Sequence, residues 1–427
     1  MKAVLSNRIY LECTKEYKNF LNKELTYIIP SYNPNDPPLV IKNMARIRNN
    51  LVSIPIGRLD LIPEEYEIVD RRVILPEKFP EFKGVLRPSQ QEVYNNLNDS
   101  AMLNAWVSWG KTFTALAVAA KFGQKTLVVT HTIPLRNQWA REIEKVFEIT
   151  PSIIGSGKFE IKGPLVVGNI QTLYRNIPKI RKAFGTVILD ECHHVSAQTF
   201  SRVIDTNYCR YKLGLSGTLE RKDGKHIVFR DYLSSNIFTP PKENFMVPSI
   251  DIVKTQIRFM DGARTPWALR VNELTNNWDY RHLISILAAA YAAKGHKVLV
   301  VSDRVGFLKN CKELVGDNAI CITGEVPHNE RENLLDSIRN NKKDILFGTQ
   351  AIFSEGISVN NLSCLILGTP LNNDPLLTQL IGRVLRKERG KLDPKIVDIH
   401  LLGKTATRQA SMRMGLYIRE GYEIKQL

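Results

Sequence analysis

Residues 102–121 read Met102-Leu-Asn-Ala-Trp-Val-Ser-Trp-Gly-Lys-Thr-Phe-Thr-Ala-Leu-Ala-Val-Ala-Ala-Lys121, and the fold is decided there. A short apolar run leads into a loop ending Trp109-Gly110-Lys111-Thr112, and an alanine-rich helical stretch comes next. That order puts backbone N–H groups and a helix N-terminus around a polyphosphate. In such a loop Lys111 neutralises the β/γ oxygens and the Thr112 hydroxyl sits on Mg²⁺. The match to G-x-x-x-x-G-K-[ST] is incomplete. Ala105 stands for the first glycine, and Ser108 and the bulky Trp109 occupy positions where small residues are common. A Gly-Lys-Thr triplet also arises by chance, so the assignment depends on its surroundings in the chain.

The bulk numbers set the frame. A chain of 427 residues exceeds what one core normally supports, which predicts two or three domains. Lys and Arg number 59 against 43 Asp and Glu, a net charge of +16. That balance suits a polyanionic partner, most simply nucleic acid, although a solvated basic surface gives the same count. Six scattered cysteines form no C-x-x-C pair, so neither a zinc site nor a disulfide framework is indicated. No signal peptide and no apolar run of about 18 residues is visible, which predicts a cytoplasmic protein without a membrane partner.

Residues 1–83 differ from the rest. Short β-rich runs such as Val52-Ser-Ile-Pro-Ile56 alternate with Pro-containing turns, and Lys15 to Leu25 reads as one amphipathic helix. A small α+β accessory domain is expected. Its Arg46, Arg48, Arg58, Arg71 and Arg72 are candidate backbone contacts to nucleic acid, or simply solvated surface charges.

From Leu86 the pattern becomes strand–helix alternation, the mark of a parallel sheet with crossover helices. Thr126-Leu-Val-Val-Thr130, Leu165-Val-Val-Gly168, Thr186-Val-Ile-Leu-Asp190 and Tyr211-Lys-Leu-Gly-Leu-Ser216 are largely apolar runs, as buried parallel strands are. After a linker around Pro240-Pro241 a second series begins, with strands at 297–302, 320–323, 344–349 and 362–367 and helices at 279–294 and 328–340. The expected domains are 1–83, 84–245 and 246–427. Only the first α/β half has a phosphate loop, which suggests a nucleotide held between the two.

Two further groups carry chemistry. Asp190-Glu191-Cys192-His193 comes directly after the strand Thr186–Leu189, and ligands in open α/β sheets bind at carboxyl strand ends. Asp190 is the candidate for the P-loop Mg²⁺, and Glu191 for orienting and deprotonating the attacking water. The bland reading is an acidic loop after a strand; the position some eighty residues beyond the Gly-Lys-Thr favours the functional one. His194 reads as structural. Arg383 and Arg386 lie in Gln379-Leu-Ile-Gly-Arg-Val-Leu-Arg386, where i and i+3 positions would share one helix face. They are candidate arginine fingers for the γ-phosphate.

Taken in order, Trp109-Gly-Lys-Thr112, Asp190-Glu-Cys-His193, Ser216-Gly-Thr218 and Gln379-Leu-Ile-Gly-Arg-Val-Leu-Arg386 resemble the motif set of superfamily 2 helicases and translocases. The resemblance covers about residues 84–400 and implies two RecA-like parallel-sheet lobes with ATP and Mg²⁺ as cofactors. Leu86-Arg-Pro-Ser-Gln90 resembles the adenine-side motif, implicating Arg87 and Gln90 alongside Ser108 to Thr112 in ATP binding. The match likewise implies Gln379 in the catalytic set, Gly356 of Ser354-Glu-Gly-Ile357 at the nucleotide, and His193, Ser216 and Thr218 in coupling hydrolysis to movement. Glu220-Arg-Lys-Asp-Gly224 resembles the family's R-x-D-G tail. The nucleic-acid motifs Ia (Thr130 to Trp139), Ib, IV, IVa and V, transferred in the same way, implicate Arg136, Gln171, Thr172, Thr323, Thr349 and Gln350 in a largely sequence-independent grip. Two departures, Ser108 in the loop and Ser358 where motif V often carries Asp, are most similar to the UvsW-like phage recombination helicases, relatives of XPB and RecG.

The implied activity is an ATP-dependent DNA helicase or translocase acting on single-stranded and branched DNA: forks, Holliday junctions and displacement loops. A monomer in the cytoplasm, the host's for a phage protein, is the expected state. An RNA helicase, a duplex translocase without strand separation, and a basic binding module with a degenerate ATP fold are the alternatives. Matched DNA and RNA stimulation of ATPase separates the first, fork unwinding the second, and intact Lys111, Thr112, Asp190, Glu191, Arg383 and Arg386 speak against the third.

Overall fold

A computed structural model describes residues 1–29, 37–106, 108–192, 197–217, 229–243, 245–262, 265–354 and 359–427. They form two compact units, Met1–Trp106 with Gly110–Lys242, and Val107–Trp109 with Glu243–Leu427.

The first unit holds two main sheets. Its eight-stranded sheet runs, edge to edge, Lys158–Phe159, Ser152–Gly155, Leu165–Asn169, Thr126–Thr130, Thr186–Leu189, Tyr211–Ser216, Ala101–Asn104, Ile237–Phe238. Every pairing is parallel except the edge hairpin at 152–159. The four central strands are buried on both faces, which explains their largely apolar sequences. Register brings the carboxyl ends level: Ser216 lies opposite Asn104, Leu189 opposite Gly214 and Val129, and Asn169 opposite Thr130. The segments leaving these residues therefore emerge along one edge.

The amino-terminal part is the expected α+β module. A five-stranded sheet carries the helix Lys15–Glu24, capped by Thr14, over its own apolar core. It belongs to the same compact unit as the eight-stranded sheet, and the join is polar and buried. Asp231, fully enclosed, accepts from Tyr27 Oη at 2.9 Å and Asn43 Nδ2 at 2.7 Å, with Arg58 at 3.5 Å. Gly57 N–H donates to the Asp231 carbonyl at 2.7 Å, and a Cβ on Gly57 would meet the Arg230 carbonyl oxygen at 2.1 Å. Only glycine allows that approach. A second pair, Arg8 with Asp205 at 2.7 Å, reinforces the join. From Arg71 the connector then runs along this sheet, pairing Val73 with Cys209 and Pro76 with Gln124 before packing Phe82 at a tilt against Phe113 of the P-loop helix.

The second unit is a seven-stranded, wholly parallel sheet ordered Ala319–Ile322, Ile345–Thr349, Val298–Ser302, Cys364–Leu367, Lys395–Leu402, Ser249–Arg258, Glu423–Gln426. Apolar clusters cover both faces. The last long helix, Lys404–Arg419, is pinned by a buried Arg413–Asp398 pair at 2.7 Å, with Tyr417 Oη donating to the same carboxylate at 3.0 Å. Two α/β sheets with one accessory module match the expected fold class. All six cysteines are free thiols, five of them buried. No helix is long and apolar enough to cross a membrane among the described residues.

Removing Asp231 leaves Tyr27 and Asn43 with unsatisfied buried donors and takes one carboxylate from Arg58, which keeps Asp60 and Glu24, so Asp231→Ala should cost about 3 kcal/mol at this join. Limited proteolysis is the check: the variant should release the amino-terminal module far faster than wild type, and equal cleavage rates would mean that the apolar contacts alone hold it.

Candidate ATP and nucleic-acid site

The strand Ala101–Asn104 ends beside Ser216, whose carbonyl accepts the Ala105 N–H at 3.0 Å. The loop then climbs through Ser108, at φ 71°, to Gly110, at φ 92°, which starts the helix Lys111–Phe122. A left-handed residue directly before a helix turns the first N–H groups outward, the arrangement that binds phosphates. The Lys111 ammonium bonds to the Ala105 carbonyl at 3.0 Å, folded over the loop it would share with a phosphate. Thr112 is half-buried on the first turn. Trp109 is wholly buried.

Gln90 and Arg87 stand over this loop. The helix Pro88–Asn96 opens with Arg87 as its cap, and Gln90 Oε1 accepts the Arg87 N–H at 3.0 Å. A Cβ on Gly110 would lie 2.5 Å from Gln90 Nε2 and 3.4 Å from Arg87 Nη2. Both adenine-side candidates and the loop are thus one cluster, and glycine at 110 is favoured by its φ, while a Cβ there would push the Gln90 amide aside.

Two strands away along the edge, Asp190 is buried at 5% exposure, immediately after the strand Thr186–Leu189. Its Oδ2 accepts from Trp139 Nε1 at 2.6 Å and its Oδ1 from the Glu191 N–H at 2.9 Å. Burial, then the charge of Glu191, pushes the Asp190 carboxyl up, against the Trp139 N–H and the Lys111 ammonium. Two adjacent carboxylates, one of them buried, facing a single ammonium are what a divalent cation suits: it relieves the repulsion that burial magnifies. With Asp190 the Thr112 hydroxyl, phosphate and water oxygens would make the usual shell of Mg²⁺. Glu191 itself sits at φ 45°, a strained backbone for a non-glycine residue. Burial pushes the Cys192 thiol up, which makes it an inert core residue. Ser216 is enclosed at the end of its strand. His193, Thr218, Gly356 and the 220–224 tail lie outside the described residues.

The nucleic-acid candidates differ in what they offer. Arg136 is 7% exposed and spends its guanidinium on Ser156 at 3.0 Å and Asn169 at 3.1 Å, tying the helix Ile133–Phe147 to the next strand end. Gln171 is exposed at the start of the helix Ile170–Arg175, with its amide on the His131 carbonyl at 3.3 Å, and Thr172 is half-buried beside it. In the second unit Thr323 is enclosed and accepts the Glu325 N–H at 3.3 Å. Thr349 ends its strand, and Gln350 reaches Thr369 at 3.3 Å, which in turn bonds Asp303 at 3.4 Å. Asp303 closes the stretch from Val298 that resembles motif IV, whereas Thr369, which links it to Gln350, lies in no motif.

Contrary to the expectation from their spacing, Arg383 and Arg386 do not share a helix face, because the helix Asp374–Val384 ends before Arg386. The backbone of Arg386 instead bridges to Phe245, and Met246 N–H donates to the Leu385 carbonyl at 2.7 Å, drawing the chain out of the helix. Arg383 Nε donates to the Phe353 carbonyl at 2.7 Å, Arg386 Nη1 to Asn360 at 3.0 Å, and Gln379 is buried on the helix at 8% exposure.

Known proteins share these features. Residues 83–221 match the family described as "Type III restriction enzyme, res subunit" and 279–388 the "Helicase conserved C-terminal domain". The chain is 41% identical over 430 residues to "Probable helicase D10" of Escherichia phage T5, covering 99% of this chain and 95% of that protein. The chain belongs to the superfamily 2 helicases. The helicase is also 27% identical over 330 residues to the "ATP-dependent DNA helicase uvsW" of Enterobacteria phage T4, over 71% and 65% of the two chains. Among solved structures, "S. cerevisiae Dbp5 bound to RNA and ADP BeF3" shares the fold at TM-score 0.59 and 12% identity, over 80% and 89%. The helicase is accordingly an ATP-dependent enzyme of a nucleic-acid-binding family.

Gly110→Ala should be costly in two ways, since a Cβ both strains φ 92° and displaces Gln90. We expect nucleotide affinity to fall by at least about tenfold for a penalty of 1–3 kcal/mol. Titration with a fluorescent ATP analogue reads it, and wild-type affinity would dissociate Gln90 from the site.

Proposed function

We propose that this helicase uses ATP hydrolysis to remodel branched DNA, namely forks, Holliday junctions and displacement loops, in recombination, repair or replication. The observation that carries the motor half is the level strand edge that collects Lys111, Thr112, Asp190 and Glu191 in one unit. The DNA half is supported by the likeness to the phage T4 DNA helicase and by the net charge of +16.

In this reading the amides around Gly110 and the Lys111 ammonium hold the β and γ phosphates, while Arg87 and Gln90 take the adenine side with Ser108 and Trp109 close by. Thr112 and Asp190 are the residues that would hold Mg²⁺, which when bound spreads the negative charge of the phosphates. Glu191 orients the attacking water and takes its proton, and the burial of its neighbour keeps bulk water from competing. Gln379, Arg383, Arg386 and Gly356 are assigned to the γ-phosphate from the second unit, so that hydrolysis depends on that unit meeting the nucleotide. His193, Ser216 and Thr218 are assigned to coupling. Arg136, Gln171, Thr172, Thr323, Thr349 and Gln350 line the strand's proposed path. Of these Gln171 is the most exposed, and Arg136 contributes by fixing the helix behind it. The proposed setting is the host cytoplasm, with the protein acting as a monomer.

Two substitutions and one substrate series test this. Lys111→Ala should abolish hydrolysis and leave DNA binding nearly unchanged; persisting hydrolysis would sink the P-loop assignment. Arg386→Ala should retain measurable ATP binding but slow turnover by roughly a thousandfold or more, as loss of an arginine finger does; normal turnover would remove the finger role. ATPase and unwinding should be stimulated more by forks and Holliday junctions than by plain duplex or matched RNA. Equal or greater stimulation by RNA would transfer the motor to the RNA class, and duplex stimulation without fork unwinding would make it a translocase.

A further inference from the structure

Trp139 sits on the inner face of the helix Ile133–Phe147 with no part of its side chain exposed. Its one polar atom, the indole N–H, is spent on Asp190 Oδ2 at 2.6 Å. Indole is a donor only, and burying it without an acceptor is costly, so Phe would fill the same core position without needing a partner. With the Glu191 N–H on the other oxygen, the indole leaves Asp190 pinned at both ends of its carboxylate. A strand-end aspartate would otherwise have several χ1 and χ2 settings, and the two donors select one of them, within reach of the Lys111 charge.

The indole is itself immobile. Its helix is capped by Thr132, whose hydroxyl accepts the Leu135 N–H at 3.4 Å, and Arg136 on the same helix is bonded to Asn169 at 3.1 Å. Ile143, Val146 and Phe147 of that helix are buried as well. A donor held by a rigid helix fixes the acceptor it bonds, as partners behind metal ligands do.

We propose that Trp139 is a positioning residue for the ATPase, holding Asp190 in the one orientation that receives the nucleotide's Mg²⁺. The inference deepens the proposed ATP site and depends on it. It assigns no contact between Trp139 and nucleotide, and it separates Trp139 from the general core by its N–H alone.

Trp139→Phe keeps most of the ring volume and removes the donor. Loss of such a partner should raise the Mg²⁺ concentration needed for tight nucleotide binding by roughly 10–100-fold. Titration of Mg²⁺ against protein and fluorescent ADP reads this without turnover, and nucleotide affinity in EDTA should stay at the wild-type value. The half-saturating Mg²⁺ for ATPase should move by the same factor, with a smaller change in the maximal rate at saturating metal. A purely structural role would instead lower affinity equally with and without Mg²⁺.

Should the variant unfold, wild-type protein labelled with 5-fluorotryptophan gives a second reading. The ¹⁹F resonance of Trp139, assigned by substituting the other four tryptophans one at a time, should shift when Mg²⁺ joins ADP and stay still with ADP in EDTA. An unmoved resonance, or a Trp139→Phe protein with wild-type Mg²⁺ dependence, overturns the proposal. Wild-type protein that shows no Mg²⁺-dependent nucleotide binding overturns the ATP site instead, which keeps the two failures apart.

Discussion

The parallel pairing of five strands is the constraint on which the first unit's chemistry depends. Parallel strands present all their carboxyl ends on one side, and their register decides how level those ends stand. Here Asn104, Ser216, Leu189, Thr130 and Asn169 finish within two residues of one another. A glycine loop, an acidic pair and two helix starts therefore share one edge although they are spread over almost ninety residues. A one-residue slip in the Thr186–Leu189 strand would send its side chains to the opposite face and remove Asp190 from the loop. The apolar interior on both faces prevents it.

That edge also concentrates backbone strain. Of the five described non-glycine residues at positive φ, Ser108 is in the phosphate loop and Glu191 is in the acidic pair. Each such conformation costs on the order of 1–3 kcal/mol and persists only where the surroundings over-determine it. Around Asp190 the over-determination is visible, because both carboxylate oxygens have fixed donors and the residue is buried. The strain at Glu191 is thus borne by a neighbour that cannot turn. By contrast, the amino-terminal module is joined through Asp231 by polar groups that are enclosed together.

How much of this is legible in the residues depends on the range of each interaction. Strands that are largely apolar and buried along their length, Thr126–Thr130 and Tyr211–Ser216, read to the residue, since burial on both faces leaves one pattern. The strand Ser249–Arg258 escapes a sequence reading because it is buried only in its first half, alternates beyond, and begins just after the Pro-rich stretch. The strand Lys395–Leu402 carries Asp398 inside a core, legible only once Arg413 and Tyr417 are brought against it. Arg386 misleads for the same reason: local periodicity continues the helix, and a backbone bridge to Phe245, 141 positions earlier, ends it.

The site separates along the same line. Lys111, Asp190 and Glu191 announce themselves because their spacing to a strand or helix end is local, and local spacing survives in sequence. Trp139 closes the motif Ia stretch yet gives no sign of its role, since its partner is 51 residues away and an apolar residue at that helical position is equally well explained as core. Residues that hold a reacting group are spelled out by motifs, whereas residues that hold the holder are selected by contact across the fold. A buried indole with one donor and one carboxylate acceptor shows how sharp that selection is: the ring is interchangeable with other aromatics in packing, and only its N–H distinguishes it.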